Sequence, residues 1–440
     1  MQISVIGTGY LGTTHAACMA QIGHNVLGLD IDPGKVAKLQ SGEVPFFEPG
    51  LENALRDNVA SGRLRFTDSF EEVADFADVH FLTVGTPQSE LGFGANLSSV
   101  NAAIDALSRH LTRATLIVGK STVPVGTAER LAKRARGIAP AGDDIELAWN
   151  PEFLREGFAV QGTLHPDRIV VGVEPRPESR SAETLAALYR PLLADHDIPF
   201  LVTNLATAEL AKVAANAFLA MKISFINAIA EVCEATSADV AMVADSIGID
   251  KRIGRRFLDA GLGFGGGCLP KDLRAFMARA AELGLGDVVS LLEIVDKINM
   301  RQRNRVVDAI RELCGSLTGA RIAVLGVAFK PNSDDIRDSP ALDVAGQLQL
   351  QGSTVSVFDP KAMDNAQHLY PTLNYALSTL DACKGADVVL ILTEWDEFRR
   401  LEPKKLAAVT RSKKVVDARN CLDPQSWRAA GWSYRGFGRP

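Results

Sequence analysis

The sequence is short of the residues from which metal sites and disulfide scaffolds are built. It holds 6 cysteines and 7 histidines in 440 residues. The cysteines (Cys18, Cys233, Cys268, Cys314, Cys383, Cys421) are scattered, with no C-x-x-C spacing. That fits neither a disulfide framework nor a zinc site. No H-E-x-x-H or H-x-H pattern occurs, so no catalytic metal is expected. Basic charge is not in excess either, with 47 Lys+Arg against 53 Asp+Glu and a net charge of -6. Nucleic acid is therefore not an expected partner, although a local basic site for a small phosphate is allowed. No run of about 18 uninterrupted apolar residues appears, so no membrane span is expected. The opening residues, MQISVIGTGYLG, enter a strand pattern directly, without a basic segment followed by a long apolar one. A cytoplasmic protein is the expectation.

What is present is an ordinary globular composition, 47% hydrophobic and 23% charged, in a chain long enough for two or three domains. ISVIG, NVLGLD, DVHFLTVG, ATLIVGKS, IELAWN, RIVVG and IPFLVT read as strands separated by helical stretches. Apolar runs without alternation indicate strands buried on both faces, as in a parallel sheet under helices. From about Leu205 to Ala235 the chain has no Gly or Pro and is rich in Ala and Leu, the pattern of one long buried helix. A second helical block covers roughly Val288 to Leu313. RIAVLG, STVSVFDP, DVVLILT and KVVDAR then announce a second, shorter set of strands. The expectation is α/β: two Rossmann-like doubly wound domains, 1–204 and 316–440, joined by a helical region, 205–315, with a long central helix.

Gly7, Gly9 and Gly12 fit G-x-G-x-x-G between a strand and a helix. Gly7 permits the turn, Gly9 lets a pyrophosphate approach the backbone, and Gly12 lets helix pack on strand. The helix N-terminus faces the anion. Asp30 closes the next strand, where a carboxylate accepts bonds from ribose hydroxyls and repels a 2′-phosphate, so NAD is expected rather than NADP. Later strand ends supply Thr86, Thr122, Glu152 and Glu156, placed to face a cofactor or substrate. The competing reading makes Thr122 or Asn150 a helix cap and the glutamates first-turn acids.

The stretch GLGFGGGCLPKD places Cys268 after three glycines and ahead of a helix that Pro270 opens. A thiolate there gains from the helix N-terminus and from Lys271, and Asp272 can orient that lysine. Gly265, Gly266 and Gly267 clear an approach for substrate. On the long helix, Lys212 and Asn216 are four apart and share a face. A buried amine there can move a proton, and the amide can support an oxyanion. In the last domain, LGVAFKPNSDDIRDSP follows a strand but lacks the Rossmann glycines; Lys330 and Arg337 offer charge for a diphosphate instead. A nicotinamide site, a thiolate and a carboxylate together suggest oxidation through a thiohemiacetal and a thioester, which water then releases as an acid.

These stretches, with FFEPGLE, VGTP, KSTVPVGT, NPEFLREG, AELAKVAANAFLAMKISFIN and GFGGGCLPKD in order, resemble the UDP-glucose/GDP-mannose dehydrogenase family over essentially the whole chain. GIDKRIG resembles its UDP-glucose branch. The resemblance implies a four-electron oxidation of UDP-glucose to UDP-glucuronate with NAD; the alternatives are GDP-mannose or a UDP-N-acetylhexosamine as substrate, or a non-catalytic NAD-binding protein. It implies Cys268 as nucleophile, with Lys212, Asn216, Asp272 and Thr122 handling protons and the oxyanion and Glu152 assisting thioester hydrolysis. Gly7, Gly9, Tyr10, Leu11, Gly12, Asp30, Lys35, Thr86, Thr122, Glu156, Lys271 and Arg337 would hold NAD. Glu152, Phe153, Leu154, Arg155 and Glu156, then Lys212 and Asn216, would touch the UDP-sugar. So would Phe257, Leu258, Asp259, Ala260, Gly261 and Gly265, with Phe329 and Lys330. Arg252 would reach it across the interface of a homodimer or higher homo-oligomer built on the long helix. The chain departs from the family's habit at Ala228, where Glu is frequent, and at Gly267, where Ser is frequent.

Overall fold

The computed structural model describes residues 1–90, 92–195 and 197–440. The chain packs as two compact units, Met1–Ala215 with Arg274–Leu283, and Asn216–Leu273 with Gly284–Pro440.

The first unit holds an eight-stranded sheet in the order β3-β2-β1-β4-β5-β6-β7-β8. Its strands are β1 (Gln2–Ile6), β2 (Asn25–Leu29), β3 (Leu64–Thr67), β4 (Val79–Leu82), β5 (Thr115–Gly119), β6 (Ile145–Trp149), β7 (Ile169–Val173) and β8 (Phe200–Asn204). Strands β4 and β5 are buried at every position, because helices cover both faces of the sheet. Alternate side chains feed two cores: Phe81 and Val118 enter one, Leu82 and Ile117 the other. One expectation fails here. The sheet is not wholly parallel, since β7 runs antiparallel to β6 and β8 follows β7. A parallel return needs a long crossover. The β6–β7 connection offers only the six-residue helix Ala159–Leu164.

The second unit holds a six-stranded sheet in the order β11-β10-β9-β12-β13-β14, every pair parallel. These strands are β9 (Arg321–Leu325), β10 (Thr354–Phe358), β11 (Asn374–Tyr375), β12 (Val388–Ile391), β13 (Lys414–Asp417) and β14 (Ser433–Arg435). One apolar core runs from Val324, Val389 and Leu390 to Trp427 and Phe437.

The helix Leu205–Thr236 connects the two sheet regions, and the division between units falls inside it. By length and composition it could cross a membrane, with a window of mean hydropathy 1.6. Its buried polar residues are instead spent inside the protein. The Glu209 carboxylate accepts from the Gly126 and Ala128 amides at 2.7 Å each, and Ser224 donates to the Val295 carbonyl at 2.8 Å.

Candidate active site

In the first unit, the end of β1 is shaped by sterics. Gly7 has φ +94°, and a Cβ on it would fall 2.7 Å from the Val84 side chain. A Cβ on Gly12 would fall 1.9 Å from the Gly7 carbonyl oxygen, so the helix Tyr10–Gln21 sits tight on the turn. Gly9 has nothing within 4 Å of its Cβ position, and the space beside this backbone is open. The Asp30 carboxylate takes the Thr8 amide and hydroxyl at 3.0 Å each and the Lys35 ammonium at 2.9 Å. Burial alone would raise the Asp30 carboxyl; the Lys35 bond, then the Asp32 amide and Thr8, hold it below its ordinary range. An open glycine turn, a helix N-terminus and an ionised carboxylate at the end of β2 fit NAD by its pyrophosphate and its ribose.

The glycine turn is tied to the segment that follows β6. Glu48, 5% exposed, accepts from the Gly157 amide at 2.6 Å, the Ala159 amide at 2.7 Å and the Tyr10 hydroxyl. Burial and the Glu48 carboxylate push the Tyr10 hydroxyl strongly upward, so it stays protonated and donates. Tyr10, assigned to the cofactor, thus shares a carboxylate with the loop carrying Glu152, Phe153, Leu154, Arg155 and Glu156. Glu48 was not singled out from sequence. FFEPGLE was visible, but nothing local shows that its partners lie over a hundred residues away.

Glu152 pairs with Lys212 at 3.1 Å, and its other oxygen accepts from the Leu154 amide. The Phe153 ring lies 5.6 Å from the Lys212 ammonium and 3.8 Å from the Arg168 guanidinium. Thr86 donates to the Thr122 carbonyl at 2.8 Å, bringing two expected residues together. Neither Thr122 nor Asn150 caps a helix. The helix Thr127–Ile138 is capped by Gly126, and Asn150 binds Lys120, Tyr189 and Val170.

In the second unit, Cys268 is exposed and stands immediately before the helix Leu269–Glu282. Its carbonyl accepts the Asp272 amide at 2.9 Å, which closes the first helical turn. Asp272, 1% exposed, takes the Asn216 amide group at 2.7 Å and the Lys271 ammonium at 2.5 Å. Asn216, Asp272 and Lys271 therefore form one polar chain at the start of the helix that Cys268 precedes. Lys212 stands one turn before Asn216 on the helix Leu205–Thr236.

The glycines before the cysteine have a packing role that the sequence reading did not assign. A Cβ on Gly265 would fall 2.3 Å from the Asp338 carbonyl oxygen, on Gly266 2.7 Å from the Phe329 ring, and on Gly267 2.4 Å from the Arg337 guanidinium carbon. Their missing side chains make room for Phe329 and Arg337. The Gly267 departure has a local counterpart in the guanidinium over it. Arg337 is held by Asp335 at 2.6 Å, and the Lys330 ammonium lies 5.1 Å from the Phe329 ring. Gly261 donates to Asn227 at 2.8 Å, with φ +158° and its Cβ position 2.3 Å from the Ala418 carbonyl oxygen. Phe257 takes φ +68°, and Leu258 and Ala260 are buried. Asp259 pairs with Arg255 at 2.9 Å, and the exposed Arg252 folds back on Asp250 at 2.6 Å. Among the described residues no cluster of His, Cys, Asp or Glu could hold a metal ion.

Three family profiles match in chain order: the NAD-binding domain over residues 1–193, the central domain over 206–301 and the UDP-binding domain over 323–424. The chain is 43% identical to the UDP-glucose 6-dehydrogenase of Rhizobium meliloti (strain 1021), covering 100% of both chains. It is 40% identical to UDP-glucose 6-dehydrogenase TuaD of Bacillus subtilis (strain 168), over 100% of this chain and 93% of that one. A solved UDP-glucose dehydrogenase from Pyrobaculum islandicum superposes with a TM-score of 0.91 at 38% identity, covering 100% of this chain and 98% of that one. On its sequence, its fold and its glycine and cysteine loops alike, the chain belongs to the UDP-glucose/GDP-mannose dehydrogenase family.

Proposed function

We infer that this protein is an NAD-dependent UDP-glucose 6-dehydrogenase, oxidising the sugar's C6 alcohol by four electrons to the carboxylate of UDP-glucuronate. The observation that carries the cysteine route is an exposed Cys268 at the start of the helix whose first turn holds the polar chain Asn216–Asp272–Lys271. NAD, when bound, accepts the hydrides that leave C6, one for each half of the reaction. Gly7, Gly9, Gly12, Asp30 and Lys35 would hold it, with Tyr10, Leu11, Thr86, Thr122, Glu156, Lys271 and Arg337 completing its contacts.

Loss of the first hydride and a proton leaves an aldehyde at C6. The Cys268 thiolate adds to that carbon, forming a C–S bond and an oxyanion. Lys212 and the second N–H of Asn216 stabilise the oxyanion; Asp272 fixes the orientation of Asn216 by accepting its other N–H. Loss of the second hydride gives a thioester on Cys268. Water, deprotonated with the help of Glu152, attacks the acyl carbon, and the thiolate leaves. The balance is one alcohol, one water and two NAD to one carboxylate, two NADH and protons.

The nucleotide is assigned to the C-terminal domain, 316–440, with Lys330 and Phe329, and to Phe257, Leu258, Asp259, Ala260, Gly261 and Gly265. The helical region 205–315 supports a homodimer. Phe218, Phe225 and Val232 are 55%, 49% and 56% exposed at seven-residue spacing, an apolar seam on a helix. Arg252 would then serve the partner's site. The reaction is placed in the cytoplasm, with NAD and nucleotide sugars.

NADH yield per mole of sugar tests this reading. UDP-glucose should give two NADH per sugar and outpace GDP-mannose and the UDP-N-acetylhexosamines. One NADH per sugar would sink the thioester route, and a preference for another sugar would reassign the substrate.

A further inference from the structure

Lys120 follows β5 and is 7% exposed, yet nothing above gives it a task. Its Nζ donates to Asn150 Oδ1 at 2.9 Å, and the Phe81 ring centroid lies 5.9 Å away. An ammonium has three donors. Among the described residues, no carboxylate stands within ion-pair distance of this one. Asn150 is itself immobilised: Tyr189 donates to Oδ1 at 2.6 Å, Nδ2 donates to the Val170 carbonyl at 2.8 Å, and the amide donates to Gly119 at 2.8 Å. Two residues further on stands Glu152, paired with Lys212. Lys120, Asn150 and Glu152 line one cavity of the first unit together with His15, whose buried Nε2 has no hydrogen-bond partner.

We propose that Lys120 is a positioning residue for the Glu152–Lys212 pair. Through Asn150 it fixes the strand end from which Glu152 departs, and its charge sets the pH range in which the pair operates. The proposal rests on the dehydrogenase reading above.

A buried charge without a counter-ion is costly to keep, and its field is weakly screened. Burial pushes the Lys120 amine down to about 8; Glu152 opposes that and Lys212 adds to it. Two groups facing it do not compete in the working range. Burial and then Lys120 itself hold His15 well below its usual value, so the ring is neutral. Burial pushes the Tyr189 hydroxyl upward, so it stays protonated. Arg155, His165, Asp167 and Arg168 complete the ionisable lining of the cavity. With Lys120 charged, a weakly screened positive field acts on the Glu152–Lys212 pair, both members of which couple to it.

The test is the pH profile of NADH formation from UDP-glucose by full-length Lys120→Met, with folding checked by its melting temperature. Both limbs should move upward by roughly one pH unit relative to wild type, with little change in the KM for UDP-glucose. A uniform loss of kcat with unmoved limbs would reduce Lys120 to packing and overturn the proposal. If Lys120→Met does not fold, Asn150→Asp gives Lys120 a counter-ion and should move the limbs the same way; unmoved limbs again overturn it. A wild type that makes no NADH from UDP-glucose contradicts the dehydrogenase reading instead. The proposal is then read without substrate, by NMR titration of Lys212 in protein carrying ¹³C-labelled lysine. Its titration should move upward in Lys120→Met, and an unmoved titration would refute the coupling.

Discussion

The turns after β1 and after β9 are built by the same rules and put to different uses. The strand orders match, 3-2-1-4 in one sheet and 11-10-9-12 in the other. Gly7 and Gly326 open the two turns at φ +94° and +97°, and each amide donates at 2.8 Å to the last residue of the neighbouring strand, Leu29 or Phe358. An aspartate follows that strand in both, Asp30 and Asp359. A threonine after the fourth strand bonds back to each turn, Thr83 to Gly7 at 2.7 Å and Thr393 to Ala328 at 2.6 Å. The contrast is in what surrounds the carboxylate. Asp30 keeps contact with Lys35 at the mouth of a turn whose Gly9 leaves open space. Asp359, 1% exposed, is consumed by the amides of Val327, Ala328, Lys361 and Ala362 and by the Trp395 indole, all at 2.8–3.1 Å. One framework makes a ligand site where the glycine turn beside the carboxylate leaves open backbone. It makes a structural knot where the protein's own donors enclose the carboxylate.

This contrast can be broken by substitution. Asp359→Ala should have the largest effect, because it strands five donors, four of them in buried bonds; a loss of about 3–5 kcal/mol is expected, read as a lowered Tm by calorimetry. If Asp30→Ala costs as much stability as Asp359→Ala, the contrast fails. Gly9→Ala comes next. The added methyl meets nothing in the protein, so Tm should hold, while NAD affinity falls by roughly thirtyfold, about 2 kcal/mol, as the pyrophosphate loses its approach. Calorimetric titration would measure it, and unchanged affinity would remove the turn from the site. Asp30→Asn should follow, with NAD binding weakened roughly tenfold and discrimination against NADP relaxed.

The smallest effect is in acid. The Asp30 carboxyl is held below its ordinary range in the fold, so its stabilising contribution is complete above that range and is lost as pH falls through the lowered value. The fall in Tm from pH 5 toward about pH 2.5 should be shallower in Asp30→Asn than in wild type. Coincident curves would show that Lys35 and Thr8 contribute nothing through this group.

The first turn was legible because its glycines are local, and each answers to a contact within a few residues or one strand away. The second was legible only as a turn after a strand, because Ala328 and Pro331 stand where the later glycines would be and Asp359 has no mark of its own in sequence. Most strands announced themselves as unbroken apolar runs. Strand β3, RLRFT in sequence, alternates with charge, and β11 and β14 have 2 and 3 residues, too few for any period to register. In the site, Cys268, Asp272, Lys212 and Asn216 stood out because polar groups in apolar or glycine-rich stretches are conspicuous. Lys120, Glu48 and Glu209 did not, since their partners lie 30, 109 and 83 residues away. The glycines before Cys268 were legible as glycines but not for their reason, which is the closeness of Phe329 and Arg337.

The central claim is that sulfur carries the sugar between its two oxidations. Glu152→Gln, which can no longer activate water, should be incubated with UDP-glucose and NAD, quenched in acid and weighed intact. One UDP-glucuronyl group per chain, mapped to the peptide holding Cys268 and absent from Glu152→Gln/Cys268→Ala, is the predicted result. A chain that stays unmodified while still forming NADH would contradict it.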